Sequence, residues 1–126
     1  KLNMKEIWPD GTFYIGEFDE NGNYSGNGKL VFSKSRYYEG EFVDGYFDGN
    51  GVFYHGTEYV KGEFKEGHIH GYGEASFNTG SYIGYWKKNR FHGEGVFKFK
   101  NEIYDGEFFN ININDSGGRD TGFKSK

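Results

Sequence analysis

Histidine is the residue type in this sequence best suited to bind a metal ion, and it recurs at a fixed spacing. His70 and His92 are 22 positions apart, and His68 lies beside the first of them. The equivalent positions earlier in the chain hold Ser25 and Asp48, although a zinc site needs three or four converging ligands. We therefore expect these side chains to bond turn backbone, and we expect neither a metal ion nor a cofactor.

Glutamate also recurs, and paired carboxylates can act as general acid and base. The repeated position is occupied in order by Glu17, Glu41, Glu63, Tyr85 and Glu107. A catalytic pair would occur once in a fold, whereas this position recurs, and no activated nucleophile pair is visible elsewhere. We therefore interpret the glutamates as a solvated outer face and expect that the protein is not an enzyme.

Glycine-rich stretches such as Gly71-Tyr72-Gly73 invite comparison with phosphate-binding loops. A phosphate-binding loop needs a strand before its glycines and a helix N terminus after them. No helical periodicity follows these stretches, so we do not expect a phosphate-binding loop there.

The basic cluster of the sequence consists of five cations, Lys87, Lys88, Arg90, Lys98 and Lys100. They could contact phosphoinositide headgroups, since a polybasic membrane site usually has four to eight clustered charges, but a solvated turn is the simpler interpretation. A weak contact with membrane phosphoinositides stays open as an alternative. The formal net charge of −4 argues against a nucleic-acid partner.

The composition favours an elongated sheet over a conventional globular core. Hydrophobic residues make up 34% of the 126 residues, yet aromatic residues alone make up 21%, and there are 22 glycines and no cysteine. Disordered chains are poor in aromatic residues, so periodic glycine between aromatic residues indicates turns and close backbone approach. No apolar run approaches the roughly 20 residues of a membrane span.

A repeat of 22 residues predicts the elements that position these side chains. The stretch at residues 38–42, Tyr-Glu-Gly-Glu-Phe, returns in related form at residues 60–64 and 82–86, and a half copy begins at Tyr104. A fixed period of this size is typical of stacked-repeat proteins. Alternation with period two predicts that each unit is a β-hairpin, with one turn over residues 44–48.

Stacking of the hairpins predicts ladders of side chains on one side of the sheet. The first-strand ladders hold Phe18, Phe42, Phe64, Trp86 and Phe108, and Tyr14, Tyr38, Tyr82 and Tyr104. The second-strand ladders hold Leu30, Phe53, Ala75 and Phe97, and Phe32, His55, Phe77 and Phe99. The first-strand glycines, from Gly16 to Gly106, would leave space beneath the rings, so a side chain there should clash with a neighbouring ring.

A further row of large apolar residues falls at the predicted turns. It consists of Tyr24, Phe47, Ile69 and Phe91, although turns normally hold glycine, asparagine and aspartate. These side chains either fold over the ladders and cover them, or form the wall of a groove for a partner, since exposed apolar strips mark interaction sites. Both interpretations can hold together.

The pattern Tyr-x-Gly-x-Trp/Phe-x-x-Gly-x-x-x-Gly-x-Gly, present at residues 82–95 with Asn89 in place of one glycine, resembles the MORN repeat. The resemblance covers about Trp8 to Phe108. Other departures, which the fold should tolerate, are Val60, Ser25 and Asp48. The resemblance implies stacked hairpins in a twisted, half-open sheet whose concave groove takes peptides or helices of partner proteins. It further implies a non-enzymatic module of cytoskeletal, ciliary or junctional scaffolds, or one attached to lipid kinases or methyltransferases.

We therefore predict an all-β fold, an elongated, twisted single-sheet array of stacked antiparallel β-hairpins (a MORN solenoid). Residues 1–12 would end a preceding partial repeat, with residues 8–12 closing its second strand. Residues 13–109 would form about four full repeats and a half. Residues 110–126 would form a polar, low-complexity and poorly ordered tail, in which Ile111 and Ile113 could finish an edge strand.

The predicted function is that of a scaffold or adaptor module that binds a peptide or helix in the aromatic groove. The predicted rim residues are Tyr24, Tyr46, Phe47, Ile69 and Phe91, and the predicted floor residues are Tyr38, Phe42, Phe64, Tyr82 and Trp86. A phosphoinositide-binding module and a regulatory domain of a larger enzyme are the alternatives. Strand edges at the array ends invite pairing, so we also consider a homodimer. We expect a cytoplasmic location, at the cytoskeleton, at the cilium or at a membrane surface.

Overall fold

The computed structural model describes residues 2–112 and 122–126, which form one antiparallel sheet of 11 strands. The strands follow one another across the sheet in chain order. Their bounds are β1 Leu2–Ile7, β2 Phe13–Phe18, β3 Tyr24–Val31, β4 Arg36–Val43, β5 Tyr46–His55, β6 Glu58–Lys65, β7 His68–Phe77, β8 Gly80–Lys87, β9 Arg90–Phe99, β10 Glu102–Ile111 and β11 Phe123–Ser125. The prediction of an all-β array of stacked antiparallel hairpins is confirmed.

A row of glycines, one from each strand from β2 to β10, crosses the middle of the sheet. Each glycine faces the next one across a strand pair, beginning with Gly16 opposite Gly28 and ending with Gly95 opposite Gly106. Glycine inside a strand marks a place where another group approaches the backbone closely. At six of these nine glycines the approaching groups include a first-strand tyrosine ring or its hydroxyl.

Three of these tyrosines, Tyr14, Tyr38 and Tyr82, are at most 1% exposed. A Cβ on Gly51, in a second strand, would overlap the ring of Tyr38. The clash predicted for the first-strand glycines is confirmed at Gly16, Gly40 and Gly84, where a Cβ would meet a tyrosine hydroxyl as well as backbone. At Gly62 and Gly106 the nearest atoms are backbone, so the predicted contact with a ring was wrong there. Each hydroxyl donates a hydrogen bond to the carbonyl three residues later, at Glu17, Glu41 and Tyr85, over 2.7 to 2.9 Å. The strand register shifts at these places, so the hydroxyl satisfies a carbonyl at a β-bulge, where the ladder is interrupted.

A ring from the following strand stacks on each of these tyrosines. The paired ring centroids are 3.8 to 3.9 Å apart and the planes differ by 4 to 9°, in the pairs Tyr14–Tyr24, Tyr38–Phe47 and Tyr82–Phe91. The third unit has no such stack because Val60 and Ile69 replace the two rings. There the Cδ1 atom of Ile69 occupies the space over Gly73, so an aliphatic side chain fills the place of the ring.

The hairpin turn after β4 is shorter than predicted. β4 ends at Val43 and β5 begins at Tyr46, so the turn is Asp44-Gly45, with φ angles of 52° and 85°. Two residues with positive φ form a type I′ turn, whose twist matches that of the flanking strands. Residues 46–48 therefore belong to β5, and the prediction that they form part of the turn was wrong.

Both ends of the described chain differ from prediction. Residues 8–12 form the turn between β1 and β2 and do not close a strand. β10 continues to Ile111, which is buried. Residues 123–125 return to the sheet as β11 and pair with β10, so the expectation of a poorly ordered tail fails for them. Ile113 and the other tail residues up to position 121 lie outside the described residues.

Replacing Gly51 by alanine should destabilise the protein strongly. The new Cβ would overlap the ring of Tyr38, which is fully buried and cannot swing away. We expect the free energy of unfolding to fall by about 3 kcal/mol, the upper part of the range for overpacked cores, as measured by urea denaturation.

The control for this substitution is Gly45→Asn. A Cβ at Gly45 would meet no atom within 4 Å, and Asn89 holds the equivalent turn position with a φ of 70°. We expect a loss below about 1 kcal/mol at this site. Equal losses in Gly51→Ala and Gly45→Asn would contradict the role that we assign to the glycine row.

The buried tyrosines should make the fold sensitive to alkaline pH. Burial is the main cause that raises the pKa of Tyr14 to about 12, and the nearby Glu17 carboxylate adds to it. Burial also raises the pKa of Tyr38 and Tyr82 above the ordinary value. The pKa of a tyrosine in an unfolded chain is about 10. The stability that depends on these groups is therefore fully present below about pH 10 and falls as the pH rises to about 12 and beyond.

We expect the circular dichroism of the sheet to be lost in this alkaline window, together with the last increase in tyrosinate absorbance. A pH titration that follows both signals would check the prediction. Full ionisation of all 11 tyrosines before any change in the circular dichroism would contradict it.

Candidate functional site

The sheet presents two faces, and no second layer covers either of them in the part of the chain that the structure describes. Successive side chains of a strand point to opposite faces. We call the face that carries Tyr14, Tyr38 and Tyr82 the aromatic face. We call the face that carries Glu17, Glu41 and Glu63 the glutamate face. The predicted groove belongs to the aromatic face.

The apolar strip predicted at the turns lies within the strands and covers the tyrosines. Phe91 is 1% exposed and Ile69 is 2% exposed, Tyr24 is also buried, and Phe47 is half-buried. Stacking of these rings on the first-strand tyrosines agrees with the interpretation that the strip covers the ladders. Of the four side chains, Phe47 keeps the most surface, and contact with a partner stays a prediction for the strip.

The predicted floor residues are core residues of the aromatic face. Tyr38, Phe42, Phe64, Tyr82 and Trp86 are each at most 7% exposed. The fifth predicted rim residue, Tyr46, lies elsewhere. It is 55% exposed and pairs with Val43 across the hairpin, one residue before Phe47. Because Phe47 points to the aromatic face, Tyr46 points to the glutamate face, and its placement on the groove rim was wrong.

The accessible surface of the aromatic face comes from apolar side chains that pack on the edge of the core. These half-buried residues are Phe18, Leu30, Phe47, Phe53, Val60, Phe77, Phe99, Tyr104 and Phe123. Most of them belong to the predicted ladders, but only Phe47 belongs to the predicted site. Position within the repeat could not have found them, because Phe18 is half-buried whereas Phe42 at the equivalent position is buried.

The five cations of the basic cluster do not form one patch. Lys87, Lys88 and Arg90 surround the turn between β8 and β9, whereas Lys98 and Lys100 lie at the other end of β9. Eight positions separate Arg90 from Lys98 in this strand, which corresponds to about 26 Å. The prediction of a single cluster of five charges was therefore wrong, because an extended strand carries sequence neighbours far apart.

The recurring histidines act as hydrogen-bond acceptors between hairpins. Nδ1 of His70 accepts the N–H of Lys88 at 3.4 Å, and Nδ1 of His92 accepts the N–H of Asn110 at 3.1 Å. The equivalent Asp48 accepts the N–H of Glu66 through Oδ2 at 3.2 Å. The prediction that these side chains bond turn backbone is confirmed. His68 instead contacts Asn89 through its own Nδ1 at 2.7 Å. Within residues 4–112 and 122–126, no group of three or more His, Asp or Glu side chains could hold a metal ion.

The recurring glutamates also bond backbone, beyond the solvated role predicted for them. The Glu41 carboxylate accepts the N–H of Asn50 at 2.7 Å, and the Glu17 carboxylate accepts the N–H of Asn27 at 3.1 Å. Each bond crosses from one strand of a hairpin to the glycine-flanked stretch of the next strand. These carboxylates therefore hold the strands together near each bulge.

A depression of about 390 Å³ lies on the glutamate face at the end of the array. Its lining includes Ile83, Val96 and the exposed pair Tyr72 and Tyr85, whose ring centroids are 5.2 Å apart. The sequence prediction missed this site. The available signal was the departure of Tyr85 from a position that otherwise holds glutamate.

The described residues contain no helix with the length and apolar character needed to cross a membrane. The family model of the MORN repeat matches the chain four times, at residues 14–35, 38–57, 61–81 and 82–102. These matches cover more than half of the chain, so the protein belongs to the MORN repeat family. No curated protein matches the chain. MORN repeats are repeat modules that bind proteins or membranes.

The acceptors between hairpins can be tested by comparing two equivalent positions. Asp48→Ala removes the bond to the Glu66 N–H, so we expect a loss of about 1 kcal/mol in the free energy of unfolding. Ser25 Oγ is buried without a hydrogen-bond partner among the described residues. We therefore expect Ser25→Ala to change stability by less than about 0.5 kcal/mol. Chemical denaturation of both variants checks this, and a loss at Ser25 as large as at Asp48 would refute it.

Proposed function

We propose that this module is a non-catalytic scaffold or adaptor that binds a peptide or a helix of a partner protein on its aromatic face. The observation that carries the proposal is the band of half-buried apolar side chains on that face, among them Phe53, Phe77 and Phe99. A contiguous apolar surface on a soluble protein marks an interaction site. A partner would complete the burial of these rings, and aromatic anchors supply much of the affinity of protein interfaces.

The size of the face supports an elongated partner segment. Eleven strands with a spacing of about 4.8 Å give a face of at most about 48 Å along the array. A specific interface buries about 800 Å² on each side. A helix or an extended peptide that lies across the strands can reach this area without leaving the half-buried band.

The predicted rim and floor residues have different parts in this proposal. Phe47 contacts the partner directly, because it keeps exposed surface beside Phe53. The buried residues Tyr24, Ile69 and Phe91 affect binding indirectly, because their packing determines the shape of the aromatic face. The predicted floor residues contribute in the same way.

A non-catalytic role is supported by the bonds of the residues that could do chemistry. The histidines at positions 70 and 92 and the glutamates at positions 17 and 41 are engaged with backbone N–H groups. As part of the same proposal we place the module in the cytoplasm, at the cytoskeleton, the cilium or a membrane surface. A regulatory domain of a larger enzyme is compatible with the same binding face.

Two further contacts belong to the same proposal. The hairpin that holds Lys87, Lys88 and Arg90 is the surface that a phosphoinositide headgroup would use, with three charges where membrane sites usually have four to eight. Pairing of two copies through the edge strand at one end of the array would give a homodimer, since uncovered strand edges invite pairing.

Photocrosslinking from adjacent residues would test which face binds the partner. Phe53 and Val52 are neighbours in β5 and point to opposite faces, and both are half-buried. A photoreactive phenylalanine analogue would replace each one in turn, with circular dichroism as the check on folding. We expect a crosslinked protein in native extract from position 53 and none from position 52.

The same pair of positions makes the experiment decisive. Crosslinks from position 52 alone, or equal crosslinks from both positions, would contradict binding on the aromatic face. Where position 53 crosslinks, Phe77→Gln serves as a second variant, because loss of another half-buried ring of the same band should weaken the position-53 crosslink.

A further inference from the structure

The depression on the glutamate face is a trough that crosses β8, β9 and β10. The glycine row runs beneath it through Gly84, Gly95 and Gly106. On one side of these glycines lie Ile83, Val96 and Asp105, which are paired across the three strands, and on the other side lie Tyr85, Glu94 and Glu107. Lys124 and Lys126 of the last strand close the far end.

Two tyrosines at the β8 end of the trough, Tyr72 and Tyr85, depart from the residue types at the equivalent positions of other units. Tyr85 occupies the position of the glutamates that accept backbone N–H bonds in other units, such as Glu41 with Asn50. Tyr72 occupies the position that is asparagine at Asn50 and at Asn27. A tyrosine cannot replace the carboxylate as an acceptor in this way, so the fourth unit gives up a bond that the fold uses elsewhere.

The two tyrosines face solvent and not the core. Each is 49% exposed, and their rings meet at 74° with centroids 5.2 Å apart. Two aromatic faces at nearly a right angle form a corner. A cation that sits in such a corner is attracted by the electron-rich faces of the rings.

The acidic residues beside the corner stand in an arrangement that needs a cation. Glu94 lies directly opposite Glu107 on the paired strand, and both side chains are exposed. Like charges in such a cross-strand pair repel and destabilise a sheet. Lys124 faces Glu107 from the next strand, which leaves Glu94 on the side of the tyrosines. A positive group between Tyr85 and Glu94 would relieve the repulsion.

We propose that this trough binds an extended peptide segment of a partner protein through one arginine side chain, which stacks on Tyr72 and Tyr85 and bonds Glu94. Arginine fits the site because its planar guanidinium stacks on aromatic rings and donates several hydrogen bonds to carboxylates. The site lies on the face opposite to the half-buried band, so it is independent of the function proposed above.

The far end of the trough sets a second requirement for the peptide. Lys124 and Lys126 repel another cation and attract a carboxylate. Three strand spacings separate β8 from β11, or about 14 Å, which an extended chain covers in about four residues. The peptide therefore carries an acidic residue about four positions from its arginine.

A titration followed by amide NMR on the isotope-labelled protein tests the proposal. The probe is the acetylated peptide amide Ala-Leu-Arg-Val-Ala-Val-Asp-Ala, and its matched control carries citrulline, which is uncharged, in place of arginine. We expect saturable shift changes centred on Tyr72, Tyr85 and Glu94 with the arginine peptide, and an affinity at least about tenfold weaker with the citrulline peptide, as expected when a cation–aromatic contact and an ion pair are lost.

Three variants separate binding from folding. Tyr72→Asn introduces the asparagine found at the equivalent positions 27 and 50. It should lower the affinity for the arginine peptide by about tenfold while the protein stays folded. Tyr46→Asn removes a tyrosine on the same face that is 55% exposed and should leave the affinity unchanged. Glu94→Gln should weaken binding and raise the stability of the free protein, since it removes a like-charge pair. A merely structural role of Glu94 would change stability alone.

Several outcomes would overturn the proposal. They are equal affinities for the arginine and citrulline peptides, shift changes centred on the aromatic face, no saturable change, or an unchanged affinity in Tyr72→Asn. Loss of partner crosslinking on the aromatic face would leave this site untouched, so the two proposals fail separately.

Discussion

The contact between buried tyrosine rings and the glycine row is the constraint on which the rest of the structure depends. A single-layer sheet has no second layer to cover its aromatic residues, yet Tyr38 is fully buried. This is possible because the ring lies flat on backbone that has no Cβ at Gly51, while Phe47 stacks on its outer side. The hydroxyl then reaches the bulge carbonyl of Glu41. One contact thus buries a ring, satisfies a carbonyl and fixes the place of the bulge.

The single-layer architecture also explains why side chains that could act in catalysis or metal binding are instead bonded to backbone. Each hairpin touches only its neighbours, so the stability of the array is a sum over units and the interfaces between them. Polar side chains at equivalent positions, such as Asp48 and His70, reach the turn of the next hairpin and bond its backbone. The Glu41 carboxylate makes a similar bond across its own hairpin. These groups recur at successive interfaces, although Ser25 makes no such bond among the described residues.

The sequence predicted the features that depend on local alternation and on the period, and it missed those that depend on register. Hairpins, ladders and the glycine clash follow from spacing within one unit. The bulge at Glu41 shifts the strand pairing, so the turn contracts to two residues and Tyr46 reaches the other face. Arg90 and Lys98 are close in the sequence but lie at opposite ends of one strand. The trough was not predictable in the same way, because its lining comes from strands whose partners are known only once the register is known.

Departures from a repeat carry different information according to whether the structure compensates for them. In the third unit, Ile69 fills the space over Gly73 that a ring would otherwise cover, so that departure is explained by packing. Ser25 leaves a buried hydroxyl without a partner among the described residues, which costs some stability without exposing new surface. The change to Tyr85 gives up a backbone bond and exposes an aromatic ring beside Glu94. Folding regains part of this loss through the edge-to-face contact with Tyr72, and the ring surface that stays exposed is the surface that the proposed arginine side chain would cover.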